Sequence, residues 1–189
     1  FMDAETDRYA PELVRDNTPI DPPDGGFEAG YHLTADLVDQ TIRYIADHTA
    51  DAPDTPWLAW LAFGACHAPH QAPAELIKSY DAVFADGWDV EREQRLARQK
   101  AMGIVPADTV LPPRNDGVKA RAEHSPDEQR LFVRLQSAYA AMLDHADQHL
   151  ARLVAFLDQA NLREDTLILV LSDNGASQEG GPLGMINAM

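Results

Sequence analysis

Two uninterrupted apolar runs stand out in the pattern of hydrophobic and polar positions along the chain. The runs cover 57–63 and 166–171, and each is followed at once by small, polar or turn-forming residues. Continuous apolar runs of this length are typical of strands that are buried on both faces, as in a parallel sheet covered by helices. The sequence therefore predicts two buried strands of one mostly parallel sheet, flanked by helices.

Apolar residues at helical spacing predict the other elements. The predicted helices cover 34–48, 74–80, 90–102 and 126–160. Thr34 is expected to cap the first helix. The longest helix has the strongest start signal, because Ser125 can cap it, Pro126 suits the first helical position and Glu128 completes a capping box. Its acidic and histidine residues are expected either to lie on the side away from the core or to cap packing contacts, namely Asp144, His145, Asp147 and His149. The helix leads directly into the run at 166–171, an order typical of an α/β fold.

Composition and charge narrow the class of protein. The 189 residues are 45% hydrophobic and 24% charged, as in a globular domain with a sizeable core. The formal net charge of −16 argues against a nucleic-acid partner or an anionic membrane surface, because both need a basic face. A single cysteine, Cys66, excludes an internal disulfide and a zinc site built from several cysteines. No run reaches the length of a membrane span, and no signal-peptide pattern is visible.

Both apolar runs end in residues that can carry chemistry. Asp173 and Asn174 follow 166–171, and His67 follows 57–63 in a Pro-rich loop. Because the carboxyl ends of parallel strands meet at one edge of a sheet, these side chains are expected to face one crevice. Asp and Asn oxygens suit Ca²⁺ or Mg²⁺, and His67 can donate a proton near neutral pH. Two plainer interpretations stay open: an Asx turn at Asp173 and a structural role for His67.

Three further residues are weaker candidates. Adjacent residues on extended backbone point to opposite sides, so Cys66 is poorly placed to pair with His67 as a nucleophile and is better interpreted as a small buried hydrophobe. His67 and His70 could be zinc ligands at positions i and i+3, but two ligands without a third make a zinc site a weak interpretation. His32, just before the first predicted helix, is interpreted as a packing or turn residue.

Several segments resemble the sulfatase family, within the alkaline-phosphatase superfamily. Ser172-Asp173-Asn174-Gly175, with a glycine pair at 180–181, resembles the family's Asp-Asn-Gly element, and residues 64–73 resemble its His-x-Pro-x-x-x-Pro loop. Further similarity to bacterial arylsulfatases lies at Glu5-Thr6-Asp7, Pro11-Glu12-Leu13, Tyr31-His32-Leu33-Thr34 and the long helix over 139–157. The resemblance covers nearly the whole chain.

The resemblance implies an alkaline-phosphatase-like fold, of which this chain holds an incomplete part. Residues 1–189 are then a partial sulfatase catalytic domain. Within it, 1–31 form an extended loop region, 32–189 form the α/β portion, and about 74–123 form a helical insertion. Because Phe1 is not an initiator residue, the chain is expected to be an internal fragment whose sheet and site are completed by the remainder of the sulfatase domain.

The implied activity is hydrolysis of a small-molecule sulfate ester. In such a site Asp173 and Asn174 match metal ligands, for Ca²⁺ in preference to Mg²⁺, and His67 matches the histidine that contacts the sulfate or the leaving group. The family's nucleophile is a formylglycine made within a Cys-x-Pro-Ser-Arg motif. That motif is absent here, because Cys66 lacks both the spacing and the arginine. The nucleophile is therefore expected outside this chain, and the fragment alone is expected to be inactive.

Two alternatives remain open at this point. One is a phosphodiesterase or phosphonate monoester hydrolase of the same superfamily. The other is a non-catalytic binding module that keeps the fold. The expected partners are the sulfate ester and the remainder of the domain, with no nucleic acid and no membrane span. The expected location is the cytoplasm or the periplasm of a bacterium, and the cytoplasm is favoured.

Overall fold

A computed structural model describes residues 6–23, 26–172, 174–175, 180–181 and 183–184 of the chain. The helices are α1 (Leu33–Asp51), α2 (Ala74–Ser79), α3 (Trp88–Ala101) and α4 (Pro126–Gln159). Short 3₁₀ segments lie at Gly26–Ala29, Arg121–Glu123 and Arg163–Asp165. Strands β1 (Leu13–Arg15) and β2 (Thr18–Ile20) pair antiparallel, with Leu13 opposite Ile20.

All four predicted helices are confirmed, with ends that agree to within one turn. The predicted capping box at the start of α4 is present: the Ser125 backbone N donates to Glu128 Oε2 at 2.8 Å, and the Glu128 backbone N donates to Ser125 Oγ at 3.3 Å. At α1 the predicted cap is wrong. His32 is the N-cap, and its ring accepts from the Thr34 backbone N at 3.1 Å. In the part of the chain that the structure describes, no helix is both long and apolar enough to cross a membrane.

The two apolar runs do not form the predicted buried strands. Among the described residues, 57–63 and 166–171 pair with no strand, and the β1–β2 hairpin is the only sheet. The side chains of Leu58, Trp60 and Leu167 are 93%, 85% and 83% exposed. An apolar run becomes a buried strand only when neighbouring strands satisfy its backbone hydrogen bonds and helices cover both faces. The predicted mostly parallel sheet is therefore not formed among these residues, whereas the helices are.

The chain divides into two compact units, each with its own buried residues. Of the described residues, the first unit comprises those up to Gln71 and those within 142–175, and the second comprises those within 72–141 and 176–186. Helix α4 contributes to both. The apolar core of the first unit is formed by Leu13, Leu33, Val38, Ile45, Met142, Ala146 and Leu157. In the second unit the rings of Trp88, His124 and Phe132 form an edge-to-face cluster.

Removing the Ser125 cap is expected to destabilise α4 modestly. Ser125→Ala deletes the hydroxyl that accepts from the Glu128 backbone, and it should lower the free energy of unfolding by about 1 kcal/mol. Urea unfolding followed by circular dichroism measures the change. Ser79→Ala is the matched control, because the Ser79 hydroxyl donates to the Leu76 carbonyl inside α2 and caps no helix start. An equal loss in both variants would contradict the capping role.

Candidate active site

His67 lies on the loop that follows the apolar run 57–63, which we call the His67 loop (residues 64–71). Its side chain is exposed, and its backbone N–H donates to the Gly64 carbonyl at 2.9 Å. The ring Nδ1 lies 2.9 Å from the Ala68 carbonyl. Because a carbonyl only accepts, Nδ1 carries the proton and Nε2 has the lone pair in the neutral ring. The hydrogen bond to Ala68 therefore fixes both the orientation and the tautomer of the neutral ring.

Arg8 holds the first part of the His67 loop. This side chain is 1% exposed. Its Nη2 donates to the Gly64 carbonyl at 2.9 Å and to the His67 carbonyl at 3.3 Å. A Cβ atom at Gly64 would lie 2.5 Å from Arg8 Cζ, so only glycine leaves room for the guanidinium at this position. Burial lowers the pKa of Arg8, and the charge of Asp7 opposes that effect. The arginine remains charged at neutral pH.

Gln71 holds the other end of the His67 loop. Its Oε1 accepts from the Arg8 backbone N at 2.7 Å, and its Nε2 donates to Asp7 Oδ2 at 2.9 Å. The Asp7 carboxylate also accepts from the backbone N–H groups of Tyr9 and Ala10. Burial alone would raise the pKa of Asp7, but the hydrogen bonds from Gln71 and the two amides, with the charge of Arg8, outweigh it and lower that pKa. The loop is thus anchored at both ends to one buried, charged segment.

A row of histidines continues from this loop to helix α4. The Thr34 backbone N–H donates to His32 Nδ1, so His32 Nε2 carries the proton and donates to the Gln71 carbonyl at 3.2 Å. Burial lowers the pKa of His32, although the bond to Gln71 opposes the shift. The His145 ring packs edge-on against His32, with centroids 4.3 Å apart. The next ring along α4 is that of His149, whose Nε2 lies 3.1 Å from His145 Nε2.

Hydrogen bonds also fix the tautomers of His145 and His149. Arg152 Nη1 donates to His149 Nδ1 at 2.7 Å, so His149 Nε2 carries a proton and donates to His145 Nε2. Burial, with the charges of His32 and His149, lowers the pKa of His145 to about 4. His145 is 7% exposed, so the expectation that it lies away from the core is wrong. Helical spacing explains the burial, because His145 lies one turn after the buried Met142.

The two predicted metal ligands are described only in part. Asp173 lies outside the described residues. Asn174 is exposed, and its backbone carbonyl accepts from Ser172 Oγ at 2.6 Å. Across the described ranges, no group of three or more His, Cys, Asp and Glu side chains is arranged to hold a metal ion. Asn174 and His67 both belong to the first unit.

The other candidates of the His67 loop contribute to its structure. His70 Nε2 lies 3.1 Å from the Cys66 carbonyl, so this nitrogen carries the proton and donates to the loop backbone. Burial lowers the pKa of His70. Cys66 is half-buried.

Arg8 and Gln71 carry no local sequence signal for their part in the loop, because arginine and glutamine in polar, Pro-rich segments are normally solvated.

Comparisons with known proteins identify the family. The family model described as Sulfatase matches residues 1–187. An arylsulfatase of Klebsiella aerogenes is 36% identical over 132 residues, which are 70% of this chain and 28% of that protein. An uncharacterized sulfatase of Schizosaccharomyces pombe is 34% identical over 132 residues, which are 69% of this chain and 23% of that protein. The chain thus spans about a quarter of the length of these curated relatives. The resemblance drawn from the motifs is confirmed, and the chain belongs to the sulfatase family.

Proposed function

We propose that this chain supplies part of the active site of a sulfuric ester hydrolase of the arylsulfatase type, with His67 as a catalytic residue and a small-molecule sulfate ester as the substrate. One observation carries the proposal: an exposed imidazole, oriented by its Nδ1 bond to Ala68, stands on a loop anchored to the buried Arg8. Family membership supports it, and the Klebsiella aerogenes relative is named an arylsulfatase.

His67 acts through Nε2 in this proposal. In the protonated ring, Nε2–H donates to an oxygen of the bound sulfate ester while Nδ1–H stays bonded to Ala68. As the bond from sulfur to the leaving oxygen breaks, the Nε2 proton passes to that oxygen and the ring becomes neutral. A positioned acid of this kind accelerates a reaction by about 10²–10⁴-fold. We propose that the attacking group, a formylglycine, lies elsewhere in the intact protein.

Asp173 and Asn174 are proposed as two ligands of a Ca²⁺ ion. The donor set fits in kind, because both side chains offer hard oxygen atoms and Asn174 is exposed just beyond 166–171. It is incomplete in number, since Ca²⁺ takes about six to eight oxygen ligands. The remaining ligands therefore come from other parts of the intact protein. When bound, the ion would fix the sulfate oxygens and offset their charge.

The exposure of the two apolar runs supports the proposal that further segments of the intact protein complete the domain. Membership of the family implies an alkaline-phosphatase-like α/β fold. Apolar side chains as exposed as those of Leu58, Trp60 and Leu167 mark surfaces that other elements cover. We propose that the remainder of the sulfatase domain pairs with 57–63 and 166–171, and that this chain alone hydrolyses no sulfate ester.

Asp173→Ala in the intact protein is expected to weaken Ca²⁺ binding by about 10–100-fold or more, the loss typical when even the hydrogen-bond partners of metal ligands are removed. Calorimetric titration with Ca²⁺ measures the affinity, and turnover of an aryl sulfate is followed in parallel. Asp165→Ala is the matched control, because this exposed carboxylate lies in the turn before the same run. Unchanged affinity in Asp173→Ala would contradict the metal role. Tight Ca²⁺ binding without any turnover in the unmodified protein would favour a non-catalytic module.

A further inference from the structure

The burial of Arg8 has a specific geometric consequence for the His67 loop. A guanidinium that is 1% exposed needs its hydrogen bonds satisfied by the protein, because burying an uncompensated charge is costly. Here the Nη2 group donates to the carbonyls of Gly64 and His67, which are the two ends of one tight turn. The charged group therefore sets the position of the His67 backbone, and the missing Cβ of Gly64 lets it approach.

Gln71 fixes the other end of the His67 loop by contacts with the same segment. Its side-chain amide accepts from the Arg8 backbone N at 2.7 Å and donates to Asp7 at 2.9 Å. Its backbone carbonyl accepts from His32 at 3.2 Å. The His67 loop is consequently fixed at 64, 67 and 71 by groups within the protein, while the imidazole of His67 stays exposed.

We propose that Arg8 and Gln71 are positioning residues that act through His67. The inference rests on the proposed function of His67 as a catalytic residue. Both carbonyls accept from one nitrogen, Nη2, at the tip of the guanidinium. The lysine side chain is one bond shorter, so its ammonium group does not reach the same position. A displacement of about 1 Å in a catalytic group can lower turnover by about 10²-fold. A lysine at position 8 would keep the charge and lose the geometry.

The decisive experiment is a double-mutant cycle in the intact protein. Arg8→Lys and Gln71→Ala are each made alone and in the His67→Ala background, and kcat for an aryl sulfate is measured. Each substitution is expected to lower kcat about 10-fold or more in the presence of His67. In the His67→Ala background each is expected to have little further effect, because residues that act through one another are not additive. Arg15→Lys is the matched control, since this half-buried arginine of the first unit contacts Gln40.

Hydrogen exchange of the His67 loop provides a readout that does not depend on activity. Arg8→Lys and Gln71→Ala are expected to speed amide exchange in a peptide covering 64–71, and Arg15→Lys is expected to leave it unchanged. Unchanged exchange in both test variants would overturn the proposal, and so would a loss of kcat that persists in full in the His67→Ala background. If His67→Ala itself left turnover unchanged, the proposed function would fail first, and the proposal with it. These results are distinguishable, because only the last one concerns His67 alone.

Discussion

His67→Ala in the intact protein is expected to lower kcat for an aryl sulfate by about 10²–10⁴-fold, the range for loss of a positioned general acid. The reason lies in the ring geometry. The Ala68 carbonyl accepts from Nδ1, so the transferable proton is on Nε2 and the ring orientation does not depend on the substrate. Steady-state kinetics with two aryl sulfates, whose phenols differ in pKa, measure the effect. The loss should be larger for the less acidic phenol, because that leaving group needs the proton more.

His48→Gln is the matched control for that substitution. The His48 ring also contacts a backbone carbonyl, that of Thr55, and it belongs to the same unit as His67. No change in kcat is expected in this variant. A full loss of turnover with equal factors for both phenols would assign His67 to sulfate binding instead of proton transfer. Turnover that survives His67→Ala unchanged would refute a catalytic role altogether.

The helices could be predicted from the sequence because their signals are local. Four consecutive positions predict the start of α4, because they contain Ser125, Pro126 and Glu128. Ser125 and Glu128 form the capping hydrogen bonds that this pattern predicts. Apolar spacing then carries the helix to its end. The cap of α1 shows the limit of such rules. His32 is not a preferred cap residue by type, yet its buried imidazole accepts from the Thr34 backbone N and packs against the ring of His145.

The strands could not be predicted as observed, because a strand is a property of pairs. The apolar composition of 57–63 and 166–171 indicates strands that other elements cover on both faces. The described residues supply neither the neighbouring strands nor the covering layers. The resulting exposure of Trp60 and Leu167 agrees with a chain that spans about a quarter of its curated relatives. Membership of the family implies the α/β class, and the described strands form only an antiparallel hairpin.

The sequence identifies His67 as a candidate residue but does not identify the residues that hold its loop. His67 follows an apolar run in a Pro-rich loop, a position visible in the sequence and similar to the family's motif. Asp173 and Asn174 as metal ligands stay a prediction. Arg8 and Gln71 lie 63 positions apart, and their contact depends on how the opening segment folds against the His67 loop. The burial of His145 could not be predicted from the hydrophobic pattern either, because the pattern treats every histidine as a polar residue.

Lowering the pH from 6.5 to 4.5 is expected to destabilise the chain by about 2–3 kcal/mol through His145 alone. The folded-state pKa of His145 is about 4, against an ordinary value of 6.5. Above 6.5 both states are neutral, so the stability does not depend on this group. Below pH 6.5 His145 becomes protonated in the unfolded chain but stays neutral in the folded chain. The free energy of unfolding therefore falls until the pH passes about 4, where the folded chain also binds the proton. The pKa values of His32 and His149 are also lowered, which adds in the same direction.

The cause of the low pKa is specific to the histidine row. Protonating His145 would place a proton on Nε2, which already accepts from His149 Nε2–H at 3.1 Å, so two N–H groups would face each other. Asp144 favours the charged form of His145 but does not outweigh burial and the charges of His32 and His149. Arg152 donates to His149 Nδ1 and forms an ion pair with Asp39. This contact keeps the proton of His149 on Nε2, so that His149 donates to His145.

Urea unfolding between pH 7.5 and 4.5 tests this account with His145→Gln. The amide oxygen of glutamine can still accept from His149, but the side chain does not titrate. The pH dependence of the unfolding free energy should therefore flatten by about 2–3 kcal/mol over this range. His48→Gln removes a histidine outside the row and should keep the slope of the unmodified protein. Asp7 and the other acidic groups are the same in His145→Gln and the unmodified protein, so their contribution cancels when the two slopes are compared. Equal slopes in His145→Gln and the unmodified protein would show that the row is not the source of the acid sensitivity.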